Sequence, residues 1–323
     1  MTMFADQLYQ YGGMPVGGLM TTGKVWFVRP STGSDGNTGK TPAKAVKTMA
    51  KAVTLATADK NDVIYMISES NTAASTTDYQ SATLTFSKDL THIVGVGAPS
   101  RVSQRSRIAQ LSTATGVSPL VLVSGDAGIY QNFSIFHGVA DATSLLAATV
   151  TGTRNYFENV HFAGIGHATM SAAGSASLKL DACQENVFKN CVIGVDTIDT
   201  DADGTNMIVD NAATRNMFEN CLFQLWITAT GASHVTLTGT DGVDRWLMFK
   251  DCTFISMSVN KSVDMAEVFV IAAGQTQGKI ILQNCAAYND GGAPVWTAGT
   301  EGIIWANMVA ATASAAGGFG TNL

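Results

Sequence analysis

The sequence predicts an all-β fold, a single-stranded right-handed parallel β-helix of about eight coils with an N-terminal capping helix. Three observations predict it. A short motif recurs about every thirty residues, a second short apolar segment precedes each copy, and the intervening residues are rich in Gly, Ala, Thr and Asp. In such a fold each repeat forms one coil, and equivalent strands stack about 4.8 Å apart.

The recurring motif reads apolar, any, Asn or Asp, small or apolar, any, apolar or small. Its copies begin at Tyr130, Phe157, Phe188, Phe218, Phe249 and Leu282. The third position is occupied by Asn132, Asn159, Asn190, Asn220, Asp251 and Asn284. Because stacked coils place equivalent positions over one another, we expect these side chains to form a hydrogen-bonded ladder between coils.

The fourth position of the motif is cysteine in its last four copies. These residues are Cys191, Cys221, Cys252 and Cys285, whereas Cys183 lies off the ladder. Cysteine behaves as a small hydrophobe, so an inner stack without a redox role is expected. Neighbouring coils nevertheless bring the thiols close enough for a disulfide to be geometrically conceivable.

The second segment of each repeat is a fainter strand of two or three residues. The six copies occupy residues 120–122, 149–150, 178–180, 207–209, 235–237 and 268–270. Each repeat therefore contains at least two short strands. Helical repeats would need apolar spacings of three and four over about a dozen residues, and these segments alternate over shorter stretches instead.

The ends of the chain differ from the repeats. Residues 1–23 are predicted to form an extended arm, residues 24–305 the β-helix, and residues 306–323 a tail of small residues. Within the β-helix, residues 25–28 form a strand, and Pro42 opens an amphipathic helix over about 42–58 that caps the open end of the solenoid. We expect residues 62–67 and 91–96 to form the first coil, with 70–83 as a loop between them.

Composition excludes several classes of protein. The chain has 19 Lys and Arg against 25 Asp and Glu, so it lacks the basic excess that nucleic-acid binding requires. No apolar run approaches the roughly 20 residues that span a bilayer, and the N-terminus lacks the pattern of a secretory signal. The five cysteines are an odd number without a CxxC pair, which indicates a reducing compartment and no zinc site.

Residues 25–49 and 62–65 resemble the opening of pectate-lyase-like β-helix proteins. The chain from residue 24 to the end is similar, more narrowly, to small β-helical virion proteins of tailed bacteriophages, which share this strand, a GSDxNxG-type loop, a capping helix and a Gly/Ala-rich end. The resemblance implies a structural component on the head or tail of the particle, often a homotrimer. It carries over no catalytic residue, because no position matches a lyase or hydrolase signature.

The sharpest candidate for metal binding is an acidic turn. Asp199, Asp201 and Asp203 precede Gly204 as in the first half of a calcium loop, and Asp210 stands at its twelfth position, where Glu is preferred. An ordinary Asp/Gly-rich turn between coils explains the same residues. Flanking helices are absent from the pattern, which excludes an EF-hand.

The histidines do not form a recognisable metal motif. His161 occupies the position of its repeat that points away from Phe162, so we expect it on the surface. His137, His167 and His234 lie near strand ends, and no pair has the HxxxH spacing. The sequence therefore assigns no catalytic or cofactor-binding residue and no cofactor except a possible calcium ion.

Two functions from different classes remain. The first is a non-enzymatic capsid decoration or cement protein of a phage virion, which binds the major capsid protein through its arm and tail and projects a trimeric β-helix. The alternative is a tailspike or receptor-binding protein that binds or cleaves host surface glycans on the long face of the β-helix. An extracellular lyase is a third reading, and it would need a signal peptide.

Overall fold

The computed structural model describes residues 21–72, 76–164, 172–275, 277–289, 296–297 and 304–306. Over these residues the chain winds into a parallel β-solenoid, and the predicted fold class is confirmed. Each coil contributes one strand to each of three parallel sheets, here called A, B and C. Most of the predicted N-terminal arm and C-terminal tail lies outside the described residues.

Sheet A begins each coil and has ten strands that pair in chain order. They are β1 (Val25–Val28), β2 (Asp62–Ile67), β5 (Thr91–Val96), β8 (Ile129–Gln131), β11 (Tyr156–Glu158), β14 (Val187–Lys189), β18 (Asn216–Glu219), β21 (Trp246–Lys250), β24 (Lys279–Gln283) and β26 (Ile304–Ala306).

Sheet B follows sheet A after a sharp corner and has nine strands. They are β3 (Thr77–Gln80), β6 (Arg107–Gln110), β9 (Ser134–Phe136), β12 (His161–Ala163), β15 (Val192–Ile193), β16 (Asp199–Thr200), β19 (Leu222–Ile227), β22 (Thr253–Ser258) and β25 (Ala286–Asn289). Strand β16 lies off the main order and pairs with β19.

Sheet C closes each coil and has seven strands, one for each complete coil of the described chain. They are β4 (Leu84–Phe86), β7 (Val121–Val123), β10 (Leu146–Val150), β13 (Ala176–Asp181), β17 (Thr205–Asp210), β20 (Ser233–Leu237) and β23 (Phe269–Ile271). The fainter strands of the repeat belong to this sheet.

Stacked aromatic rings fill the centre of the solenoid. Phe157, Phe188, Phe218 and Phe249 occupy one register position of sheet A and are fully buried. Their ring centroids are separated by 4.6, 4.4 and 5.1 Å along the stack. The spacing follows from the distance between parallel strands, so one buried ring per repeat produces a continuous core.

The recurring motif is two strands rather than one. In its first copy Tyr130 belongs to β8 and Ile135 to β9, and the chain turns from sheet A to sheet B at Asn132. The predicted first coil is wrong in detail: residues 62–67 and 91–96 pair with each other in sheet A, and β3 begins inside the expected loop. Apolar alternation identified the strands but not which sheet each one joins.

The capping helix is shorter than predicted. Residues Pro42–Lys44 form a 3-10 turn, and α1 covers Met49–Leu55. Thr48 caps α1 by accepting a hydrogen bond from the Lys51 N–H at 3.1 Å, which fixes where the helix begins. Against the first coils, α1 buries Met49, Ala52 and Val53. A second 3-10 turn spans Val259–Lys261. None of the helices in the described residues has the length and apolarity needed to cross a bilayer.

Candidate functional site

The predicted Asn ladder lies at the corner between sheets A and B. All six positions have φ between 51° and 60°, the left-handed region, which Asn and Asp tolerate better than other side chains. Asn159 donates to Asn132 Oδ1 at 3.0 Å, Asn220 to Asn190 Oδ1 at 2.7 Å, and Asn284 to Asp251 Oδ1 at 2.6 Å. The side chains therefore join neighbouring coils and leave little capacity for a ligand.

A second Asn column, which is not among the predicted features, lies at the corner between sheets C and A. Asn155, Asn186 and Asn216 are fully buried, and Asn186 Oδ1 accepts the Asn155 N–H at 2.8 Å. Asn216 Oδ1 accepts the Asn186 N–H at 3.0 Å in the same way. The signal was present, because each residue stands four positions before an Asn of the first ladder in the pattern N-x-F-[EK]-N.

The structure brings Cys191, Cys221, Cys252 and Cys285 into one buried column. Each thiol donates to the carbonyl of a Phe in the preceding coil, as Cys221 does to Phe188 O at 3.3 Å. Burial raises the pKa of Cys221 well above its ordinary value and that of Cys183 to about 12. All five thiols are free. In-register parallel strands hold equivalent Cβ atoms about 4.8 Å apart, whereas a disulfide needs about 3.5–4.5 Å.

The acidic turn does not assemble a metal site. Asp199, Asp201 and Asp203 are exposed, and Asp201 turns its carboxylate back onto the Ala202 N–H at 2.8 Å. Asp199 lies in β16, and Asp210 ends β17, where it pairs with Lys179. Within the residues that the structure describes, no three His, Cys, Asp or Glu side chains converge as metal ligands. Calcium therefore has no assembled ligand set in this turn.

The expectation that His161 is a surface residue is wrong. Its side chain points outward from β12, but only 2 % of it is exposed, because a ten-residue connection crosses over it. His137 and His234 are also buried, and burial lowers the pKa of His137 to about 4 and that of His234 to about 3. His167 lies outside the described residues. The burial of His137, His161 and His234 depends on neighbouring coils and on the connection over His161, which a single repeat does not reveal.

The connection that covers His161 is residues 97–106, here called the strap. It joins β5 to β6, where later coils turn from sheet A to sheet B within two residues. The Ser103 N–H donates to His161 Nδ1 at 3.1 Å, and Gln104 donates to the Asn159 carbonyl. Arg101 reaches the carbonyl of Asn220. The strap therefore runs along the solenoid axis over the corner between sheets A and B.

A cationic and aromatic cluster lies on the outer face of sheet B beside the strap. The Arg107 guanidinium stands 4.2 Å from the ring centroid of Phe136. Tyr79, on the adjacent strand β3, is 44 % exposed. Burial lowers the pKa of Arg107, and its Nε atom is buried without a hydrogen-bond partner. Arg107 therefore has an unsatisfied donor among the described residues, and an anion bound here would gain a charge-assisted contact.

Several other basic side chains near the outer surfaces have carboxylate partners. Glu185 binds Arg154 and Arg215, each at 2.7 Å. Lys179 lies between Asp181 and Asp210, at 3.1 and 2.9 Å. No ion pair within 4.0 Å is formed by Arg107 among the described residues, although the chain carries a net charge of −6. Arg107 differs from these paired residues in combining a buried Nε without a hydrogen-bond partner with the contact to Phe136.

A second exposed patch lies on the same face near the C-terminal end of sheet B. Tyr288 is 59 % exposed and stands in register with Ile255 of the preceding coil. Trp226 and Met257 pair in the next outward column, and both are partly exposed. Flat apolar and aromatic surfaces of this kind stack against the apolar faces of sugar rings and bury area at low entropic cost. Sheet B therefore presents a ligand-accessible surface on both sides of the strap.

No protein-family model matches the chain, and no curated protein matches it. The solved structures establish the fold. A pectin methylesterase in complex with a hexasaccharide aligns with a TM-score of 0.55 and 15% identity, covering 94% of each chain. The pectin methylesterase PemA from Erwinia chrysanthemi aligns with a TM-score of 0.52 and 14% identity, covering 92% of each chain.

Two phage proteins also match, and both alignments are looser. A protein of Geobacillus virus E2, ORF18, has a TM-score of 0.40 at 10% identity over 75% of this chain and 54% of its own. The enzymatically active domain of tailspike protein 2 of bacteriophage CBA120 has a TM-score of 0.30 at 10% identity, covering 75% and 48%. Scores this low carry no argument about function.

These comparisons correct two expectations from the sequence. The expectation that the chain is not an enzyme is contradicted, because the solved structures that match over almost the whole chain are pectin methylesterases, enzymes that act on a polysaccharide. A non-enzymatic capsid decoration role is likewise unsupported. The pectate-lyase-like β-helix is established as the fold, and the glycan-directed alternative agrees better with its neighbours.

Proposed function

We propose that this protein recognises an acidic host-surface glycan on the outer face of sheet B, as a tailspike or receptor-binding component of a phage particle. Arg107 carries the proposal, because among the described residues its partly buried guanidinium has no carboxylate partner and it lies over the ring of Phe136. A uronate or another acidic sugar supplies the missing charge, and Tyr79 offers a ring for the adjacent sugar.

The fold of the neighbours supports the same reading. Solved structures with TM-scores above 0.5 are pectin methylesterases, one of them bound to a hexasaccharide. A long parallel β-helix offers a regular surface on which a polymer contacts several coils in turn. The phage setting rests on the resemblance of the chain from residue 24 onward to small β-helical virion proteins of tailed bacteriophages, and assembly as a homotrimer belongs to the same proposal.

Arg107→Gln tests the site. The substitution removes the charge and keeps a polar side chain, so affinity for acidic polysaccharides is expected to fall about 10- to 100-fold, the equivalent of one charge-assisted hydrogen bond. Binding is measured by calorimetry or affinity electrophoresis on a panel of acidic and neutral glycans. Formation of new reducing ends or release of ester alcohol in the same samples measures turnover.

Arg154→Gln is the matched control, because Arg154 is paired with Glu185 away from sheet B. This variant is expected to bind like the wild type. Equal binding by Arg107→Gln and wild type, or a wild-type preference for neutral glycans, would contradict the assignment of Arg107 as the recognition residue.

A further inference from the structure

The strap, residues 97–106, is much longer than the same corner in every later coil of the described chain. Later coils pass from sheet A to sheet B through two residues, such as Asn132 and Phe133 between β8 and β9. The strands beneath the strap, β6, β9 and β12, already pair with one another, so sheet B does not need the strap to complete its hydrogen bonding. The strap instead lies along several coils, which gives it a position across the outer face of sheet B.

The strap covers the middle of that face. Ser134, His161 and Val192 occupy three successive outward positions of sheet B and are almost completely buried. The next two positions of the same column, Leu222 and Thr253, are partly exposed. The covered segment therefore separates the Arg107 cluster from the patch that contains Tyr288.

The described contacts that fasten the strap beyond its own coil are polar. Arg101 and Gln104 donate to the carbonyls of Asn220 and Asn159. The Ser103 N–H donates to His161 Nδ1 at 3.1 Å, while His161 Nε2 donates to the Gly194 carbonyl at 2.9 Å. This arrangement requires neutral His161 with its proton on Nε2, because Nδ1 must accept.

We propose that the strap is a removable cover on the glycan face, and that protonation of His161 releases it. An imidazolium carries N–H groups on both nitrogens, so Nδ1 then opposes the Ser103 N–H instead of accepting from it. The identity of the ligand that binds the uncovered face rests on the proposed function, whereas release of the strap rests only on the strap contacts. Release exposes the outward column Ser134, His161 and Val192, which links the two accessible parts of sheet B.

The charged groups around His161 act in opposite directions. Asp196 favours the imidazolium and Arg107 disfavours it, but burial dominates and lowers the pKa of His161 to about 4. Gln104 carries no titratable group, and Ser103 contributes only a backbone N–H. His161 is therefore the titrating contact between the strap and the coils below it.

Hydrogen exchange measured by mass spectrometry at about pH 7 and about pH 4 tests the proposal, with rates corrected for the intrinsic effect of pH. In the wild type, peptides covering residues 97–106 are expected to lose protection at the lower pH while the strands of sheet A keep theirs. His161→Gln keeps an acceptor and a donor without a titrating proton, so its strap is expected to stay protected at both pH values.

Two further variants keep the test independent of how well His161→Gln folds. Ser103 has φ of 53° and supplies the donor N–H, so Ser103→Pro removes the donor and excludes that backbone angle. Its strap is expected to exchange rapidly already at pH 7. His234→Gln changes a buried histidine that has no described contact with the strap, and it is expected to behave like the wild type in residues 97–106.

Equal protection of the wild-type strap at both pH values would overturn the proposal, as would acid release that persists in His161→Gln. Glycan binding is measured separately on Ser103→Pro at pH 7. Increased affinity for long over short acidic oligosaccharides is expected when the strap is open. Strap release without any glycan binding by any variant would contradict the proposed function and leave the release mechanism standing.

Discussion

At the scale of single residues, backbone conformation decides which side chains the corners accept. Asn132, Asn159, Asn190 and Asn220 turn the chain from sheet A to sheet B with φ between 51° and 60°. Asn is suited to both demands of this position, because it tolerates the left-handed region and its amide bonds to the next coil. The repeat therefore preserves a conformation as well as a contact.

At Gly95 the close approach of the neighbouring coil decides which residue the position accepts. A Cβ at this position would lie 1.9 Å from the carbonyl oxygen of Asn132, which is backbone in the next coil and cannot rotate away. Gly95→Ala is expected to lower the free energy of unfolding by about 2 kcal/mol or more, as overpacking of a rigid site does. Urea denaturation followed by circular dichroism measures the change.

Gly36→Ala is the control for Gly95→Ala. The nearest atom to a Cβ at Gly36 is the Ser34 hydroxyl, 3.7 Å away, so its effect is expected within about 0.5 kcal/mol. Similar stability losses in both variants would show that the approach of Asn132 to Gly95 is not the cause.

At the scale of elements, the strands are too short to be stable alone, and columns of equivalent residues hold them in register. The Phe column packs by stacking, the Cys column by small volume, and the two Asn columns by hydrogen bonds. The buried Asn column satisfies backbone groups at the corner between sheets C and A that would otherwise lack a partner.

Asn186→Ala tests that buried column. Asn186 accepts the Asn155 N–H at 2.8 Å and donates to the Gly152 carbonyl at 3.0 Å, and both groups lose their partner in the variant. The free energy of unfolding is expected to fall by about 2–4 kcal/mol, because each buried unsatisfied group costs about 1–3 kcal/mol. Chemical denaturation of the purified variant measures it.

Asn190→Gly provides the comparison in the half-buried ladder. Glycine keeps the left-handed conformation, and only the bond from Asn220 is lost, so a fall of about 1 kcal/mol is expected. A larger effect at Asn190 than at Asn186 would contradict the view that the buried column is the stronger of the two.

At the scale of the whole molecule, burial of neutral histidines couples stability to pH. The pKa values of His92, His137, His161 and His234 are all lowered, mainly by desolvation. Between a lowered folded pKa and an unfolded value of about 6.5, the unfolded chain binds more protons than the folded chain. The contribution of these residues is therefore complete above about pH 6.5 and is lost as the pH falls towards 4.

One carboxyl group acts in the opposite sense. Burial raises the pKa of Asp78 to about 6, although Asp78 accepts the Met49 N–H at 2.7 Å, so folding is favoured as the pH falls through 6. Four histidines outweigh one aspartate, and the urea midpoint is expected to decrease from about pH 7 to about pH 4.5. His234→Gln should reduce this decrease, and a midpoint that rises on acidification would contradict the account.

Most of the fold was predictable because the coils from residue 130 onward contain the same short sequence motif, which recurs about every thirty residues. The motif at Phe157, Phe188, Phe218 and Phe249 fixed the period, and parallel stacking followed from strand spacing. The candidate site was not predictable in the same way. Arg107 and Tyr79 lie in the early, irregular coils, where the repeat is absent. Their proximity to Phe136 depends on which strands are neighbours in sheet B, and only Arg107 contacts its ring.

Residue type and spacing along the chain were sufficient to specify the β-helix, the first Asn ladder, the Cys column and the lack of an overall basic excess. Tertiary structure alone decided that His161 is buried, that the strap crosses the outer face and that Arg107 lacks a carboxylate partner within the described chain. Each of these depends on contacts between residues separated by many positions, such as Arg101 and Asn220, and no local pattern encodes the path of a connection across other coils.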